Sequence, residues 1–255
     1  MRTLLAAIRG ELTKMWSTRW TVVALALFVI VSVGIGALDG WSASGAIASH
    51  NPALRPDFSS AQAGLDGILY GQLALIVFGV LVVTNEYSSR MIGLSLLAVP
   101  RRDRFFTAKM IVAGLTAAAF AIPTVVVSYL VTELALGPYG ASIFAAGVAH
   151  AMLGAVAYVT LICLFAAGLA AIARNPILPL AILIPLVLAG SQILSVIGAT
   201  ASVARFLPDQ AGMRMLAVVP GGSGKLSALA GLVVLLAWVA AALSGGLMLL
   251  LRRDA

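Results

Sequence analysis

Apolar residues run along this chain in long unbroken stretches, not in the alternation of a strand or the one-sided stripe of a soluble helix. Six runs are long enough to cross a bilayer as helices, at about 20 residues for about 30 Å of hydrocarbon. They lie near Trp20–Leu38, Ile68–Thr84, Met110–Thr132, Phe144–Ile172, Ile177–Ala199 and Leu226–Leu251. The pattern predicts an all-α polytopic membrane protein with six transmembrane helices and a single transmembrane domain over residues 1–255. That domain divides into an N-terminal amphipathic helix (1–19), spans one to five (20–199), an outer loop (200–225) and a last span with its tail (226–255). The fourth and fifth runs meet at Arg174-Asn175-Pro176, which predicts a hairpin. Pro185 should kink the fifth span, because proline removes a backbone hydrogen bond from a helix interior. The carbonyls so freed are tolerable where that face meets protein or a wet cavity.

Charge sets the orientation. An even number of spans puts both termini on one side. With the N-terminus inside, the cytoplasmic segments hold Arg2, Arg9, Lys14, Arg19, Arg90, Arg101, Arg102, Arg104, Lys109, Arg174, Arg252 and Arg253. The outer segments hold Arg55, Arg205, Arg214 and Lys225. Twelve against four is a positive-inside bias, so both termini are expected to be cytoplasmic. The first span is longer than a signal core and about twenty residues precede it, so it is expected to stay uncleaved.

Three segments between the spans carry information. Leu4, Leu5, Ile8, Leu12, Met15 and Trp16 project onto one face roughly 120° wide, with Arg2, Arg9, Thr13 and Lys14 around the rest. This predicts a helix lying in the inner interface, in contact with lipid. The inner loop 85–108 opens on Asn85-Glu86-Tyr87 and carries an apolar stretch, Met91–Val99, that Pro100 should end. An apolar cytosolic helix bracketed by charge needs a partner or a lipid surface to cover it. The outer loop 39–67 is rich in Gly, Ser, Ala and Pro and reads as poorly structured or partner-ordered. The loop 200–225 holds Val203, Phe206, Leu207, Met213, Leu216 and Val219, which suggest a short helical element on the outer surface.

Composition narrows the function. The chain has 255 residues, 62% hydrophobic and 10% charged, against about 25% charged in soluble domains. A net charge of +7 would point to nucleic acid in a soluble protein, but here the basic residues flank apolar runs, and no nucleic-acid partner is expected. Cys163, the one cysteine, sits in an apolar run as a packing residue, and no metal-site spacing is present. Gly221-Gly222-Ser223-Gly224-Lys225 resembles a phosphate loop only in part. Val219 stands where that motif needs glycine, and Leu226 where it needs Ser or Thr. His50 and His150 lie on or near the outer side with no nucleophile motif beside them. No Asp, Glu, Lys or Arg lies deep within a run, where an ion-coupled carrier would place one. No catalytic, cofactor-binding or metal residue is nominated. Active transport would then draw its energy from another polypeptide.

Four stretches stand out together: Glu11-Leu12-Thr13-Lys14 with Ser17-Thr18-Arg19; Glu86-Tyr87 through Leu96-Leu97-Ala98-Val99-Pro100-Arg101-Arg102 to Lys109; Phe206-Leu207-Pro208; and the tail Leu251-Arg252-Arg253-Asp254-Ala255. In this order and spacing they resemble the permease subunit of bacterial type-2 ATP-binding-cassette exporters, in particular the Ala-rich actinobacterial kind. Arg90-Met91 stands where the family usually has a Gly-Thr pair. The resemblance implies a half-transporter of the bacterial cell membrane that is no enzyme itself. It would pair with a second permease copy or close relative, and with cytosolic ATPase subunits that carry the ATP and magnesium; this chain would hold no cofactor. Glu86, Arg90, Leu96, Leu97, Pro100, Arg101, Arg102 and Arg104 would form the ATPase-coupling loop, and Leu5, Ile8, Leu12, Lys14, Met15 and Trp16 the interfacial helix. The competing reading is an ATP-independent membrane channel or scaffold.

Overall fold

The computed structural model describes residues 2–50, 58–88, 102–197, 200–218 and 226–252, with side chains placed from Ile8 onward in the first segment and as far as Glu86 in the second. The described residues are helices joined by turns. They run α1 (Arg2–Ser17), α2 (Arg19–Ala48), α3 (Ser60–Ser88), α4 (Arg102–Leu136), α5 (Val148–Ala173), α6 (Ile177–Pro185), α7 (Ser191–Val196), α8 (Ala201–Ala204), α9 (Pro208–Met213) and α10 (Ala228–Arg252). Six stretches are long and apolar enough to span a bilayer: α2, α3, α4, α5, α6 continued into α7, and α10. The chain is a six-span helical membrane protein. α3 and α5 are the most buried and form the centre of the bundle, whereas α2, the α6–α7 span and α10 keep wide apolar faces exposed.

One end of the bundle is basic. It carries α1, the end of α3, the start of α4, the Arg174 turn and the end of α10. α5 ends at Arg174, whose φ of 52° closes the helix in the left-handed conformation. Asn175 Oδ1 then accepts the Ile177 N–H at 2.8 Å, which starts α6 within three residues, the tight turn expected there.

At the opposite end the helices are longer than the apolar runs. α2 continues to Ala48 and α3 begins at Ser60, so residues 39–48 and 60–67, expected to be loop, are helix. The reason lies in close packing. Small residues let helices cross at short range in a membrane, without an apolar stripe to announce it. Gly36 lies where a Cβ would come within 2.6 Å of Thr132 Oγ1, and Ser128 Oγ donates to the Ser32 carbonyl at 3.1 Å. Gly64 lies flat against the Tyr129 ring and Ala43 is buried.

Pro185 ends the regular part of the fifth span. A π-helical turn, Leu186–Gly190, follows it, and α7 resumes at Ser191. This is the local widening of a helix whose hydrogen-bond ladder has been interrupted.

The segment after α7 departs most from expectation. It was expected on the surface, yet Pro208–Gly212, Met215 and Leu216 are buried. It folds into the bundle between α5 and α10. Gly212 abuts the Tyr158 ring, Gly154 leaves room for the Met215 carbonyl, and Gly231 does the same for Ala211. Trp238, ten residues into α10, donates its indole N–H to the Phe206 carbonyl at 2.9 Å. Non-helical backbone at that depth needs such partners, because hydrocarbon offers none. The segment returns to the bundle end at Val218, whose N–H reaches Gln62 Oε1 at 3.1 Å.

Candidate functional site

Two carboxylates and two ammonium groups from three helices meet at the basic end. Glu11 and Lys14 come from α1, Glu86 from the end of α3 and Lys109 from the second turn of α4. Lys109 Nζ donates to Glu11 Oε2 at 2.5 Å and lies 3.2 Å from Glu86 Oε1. Lys14 Nζ donates to Glu11 Oε1 at 3.0 Å and to Glu86 Oε1 at 2.9 Å. The formal charges cancel, and each carboxylate touches both cations. Lys109, Glu11 and Glu86 are buried, whereas the Lys14 side chain keeps 38% of its exposure. Burial opposes the Lys14 charge, but its hydrogen bonds to Glu86 and Glu11 outweigh that and hold its pKa above the ordinary lysine value. The Phe105 ring caps the group, with Lys109 Nζ 5.2 Å from its centroid.

The sequence positions that build this cluster are spaced by the helices. Glu11 and Met15 are four apart and turn the same way, so both are buried, and Lys14 flanks them. This changes the reading of α1. Lys14 was placed on the polar rim of an interfacial helix; instead it points at α3. Met15 is buried, Ile8 is partly buried, and Leu12 and Trp16 are exposed, with Trp16 6.2 Å from the Phe120 ring. Glu11 was read as part of a family pattern, and Lys109 as part of one and as a basic residue that sets orientation; neither was given a partner. An acidic and a basic residue isolated at the ends of apolar runs were the available signal.

Of the expected coupling-loop residues, Glu86 joins the cluster. Arg102 sits across α4 and donates to the Leu250 carbonyl of α10 at 3.0 Å. Arg104 is half-buried one turn before Thr107. Arg90, Leu96, Leu97, Pro100, Arg101, the stretch Met91–Val99 and the side chains of Leu4 and Leu5 lie outside the described residues, as do Gly221–Lys225. The cluster therefore stands at the root of the expected coupling loop: Glu86 lies just before it and Lys109 just after. A cavity of about 320 Å³ opens beside the group between α1, α2 and α3.

Toward the opposite end, α2, α3, the π turn and α9 surround a half-open cavity of about 730 Å³. Asp39, Ser42, Asp66, Tyr70, Gln72 and Gln192 give it a polar lining, set among Ile35, Leu38, Leu69, Val187, Leu188 and Met213. Behind Gln72 lies a buried polar group. Tyr158 donates its hydroxyl to Gln72 Oε1, Ser191 donates to Asp209 Oδ2, and Gln210 Nε2 reaches Ser191 Oγ at 3.0 Å. These bonds tie the inserted segment to the α6–α7 span directly behind the cavity wall. Burial pushes the Asp209 carboxyl above its ordinary value, although hydrogen bonds from Ser191 and from the backbone at the start of α9 oppose the shift. Among the described residues no group of three His, Cys, Asp or Glu side chains is placed to hold a metal ion.

The model of the family described as "ABC-2 family transporter protein" matches residues 7–190, from α1 through the π turn. No curated protein sequence matches the chain.

Proposed function

The chain belongs to the ABC-2 transporter family, and from that premise we propose that it is the permease subunit of an ATP-binding-cassette exporter, driven by a separate ATPase. It is a multi-pass protein of the cell membrane. The observation that carries the proposal is the extent of the match. It takes in most of α1, the expected coupling loop and the first five spans as far as the π turn, including the three that line the polar cavity.

The two ends of the bundle divide the work. At the basic end, docking of an ATPase on residues 86–104 would displace the loop. The cluster of Glu11, Lys14, Glu86 and Lys109 makes the two roots of that loop and α1 respond as one body, because separating any buried member strands a charge. ATP and magnesium would bind on the partner. At the opposite end, the 730 Å³ cavity supplies a space lined by both polar and apolar side chains. The exposed faces of α2 and of the α6–α7 span flank this cavity, and a second permease copy packed there would enclose it. Loss of regular hydrogen bonding after Pro185 gives that wall a place to bend.

The experiment is co-reconstitution in proteoliposomes with the partner ATPase. Solute movement that requires hydrolysable ATP supports the proposal. Movement at the same rate without the ATPase supports a passive channel instead.

A further inference from the structure

A groove of about 620 Å³ runs between α4, α5 and α10, away from both sites described above. We propose that it is a binding slot for one acyl chain of an anionic phospholipid, with the headgroup at the arginine-bearing rim. The inference stands on this surface alone and does not depend on the transport reading.

The lining is apolar in effect. Its three hydroxyls satisfy themselves within their own helices: Thr107 donates to the Asp103 carbonyl at 2.8 Å, Thr160 to Val156 at 2.7 Å and Ser244 to Ala241 at 3.1 Å. What remains is hydrocarbon, chiefly Ile111, Leu115, Leu164 and Leu247. Gly114 makes the floor, since a side chain there would enter the groove. On α4 the groove extends from Phe106 to Ala118, about 18 Å at 1.5 Å per residue. That is about half of a 30 Å hydrocarbon core and a little more, which is the reach of one leaflet and not of a spanning helix.

Charge identifies the occupant. The groove begins beside the basic end of the bundle. Arg104 lies three residues before Thr107 and so on the groove's face of α4. Arg102 is anchored to Leu250 O at 3.0 Å and Arg174 to Leu249 O at 3.4 Å, which fixes two more guanidinium groups around the last turn of α10, and Arg252 is exposed there. Asp103 is the one acidic side chain among the described residues of this rim. A slot one leaflet deep with fixed arginines at its mouth fits a lipid phosphate above an acyl chain.

The test is native mass spectrometry of the full chain, purified in a nonionic detergent and titrated with dioleoyl phosphatidylglycerol or dioleoyl phosphatidylcholine. The expected result is one retained phosphatidylglycerol, favoured over phosphatidylcholine by on the order of tenfold. Arg104→Gln should lower that preference about fivefold, as about 1 kcal/mol per arginine implies. Gly114→Phe should abolish retention of both lipids. Its Cβ meets Leu164 at an ordinary 3.4 Å, so the backbone need not move, and Leu247→Trp serves as a second way to fill the slot. Glycerol phosphate should not displace the lipid, which separates it from a free phosphate site. Equal retention of the two lipids by the native chain overturns the proposal. So does undiminished retention in both filled variants.

Discussion

Lys109 and Glu11 lie 98 residues apart and meet at 2.5 Å inside the protein, each with a side chain only 6% exposed. The contact joins the N-terminal helix to the first turns of α4, and Glu86 extends it to the last turn of α3. A pair so far from water costs desolvation as well as gaining attraction. Its consequence is specificity of position: α1 has one seat, at the root of the longest basic loop.

Removing one member should therefore be worse than removing two. Lys109→Met leaves two buried carboxylates facing a single half-exposed lysine and should destabilise the protein by about 3–5 kcal/mol. Lys109→Met with Glu11→Gln should recover most of that loss. Lys14→Met should cost about 1 kcal/mol or less, because Lys14 is partly solvated. Thermal unfolding in detergent ranks the three. Equal losses from all three would show that the charges do not act as a group.

The inserted segment should respond to acid through Asp209. Its pKa is raised by burial, so the folded state binds the proton more tightly than the unfolded chain. The destabilising contribution is absent well below the ordinary aspartate value of 3.8, grows as pH rises through the window above it, and is complete once pH exceeds the raised value. Asp209→Asn should flatten that dependence and leave the Ser191 and Gln210 contacts in place. Protease or hydrogen-exchange protection of residues 200–218 against pH provides the reading. An unchanged pH dependence in the variant would assign it elsewhere.

Shape should matter as much as charge in that segment. Gly212→Val would drive a side chain into the Tyr158 ring, one of the largest fully buried groups in the protein. A loss of about 2 kcal/mol or more, or expulsion of the segment, is expected. Cysteine accessibility at Met215, which is buried, distinguishes the two outcomes.

Topology can be checked by labelling. A cysteine at Ser49, exposed at the end of α2, should react from outside intact cells. A cysteine added after Ala255 should react only after permeabilisation. The reverse pattern would invert the orientation that the basic residues imply.

Much of the architecture was legible because membrane spans are written in local composition. Six runs of apolar residues gave six spans, and Arg174-Asn175-Pro176 gave the turn between the fourth and fifth. Pro185 marked the site of the π turn. What escaped was written in small residues and in pairs distant along the chain. Ala43 and Gly64 read as loop because close helix crossing needs small side chains, not apolar ones. Gly212 and Gly154 likewise hid the insertion of residues 208–216, and the polar pair Asp209-Gln210 suggested exposure where Ser191 in fact receives it. The partnership of Glu11 with Lys109 has no periodic signal at all, since only folding brings α1 to α4.

The proposed docking of residues 86–104 on the ATPase has a direct test. The permease is purified with its ATPase, and complex yield and transport-coupled ATP hydrolysis are measured for the native chain and for Leu96→Asp and Leu97→Asp. If the apolar stretch Met91–Val99 seats on the ATPase, each substitution places an unpaired charge in a desolvated contact, and both readings should fall steeply while membrane insertion stays normal. Neutralising Arg104 alone should change complex yield little, as a partly solvated rim charge is worth about 0–1 kcal/mol. Native yield and native coupled hydrolysis in both leucine variants would contradict the account and leave the loop as a determinant of topology alone.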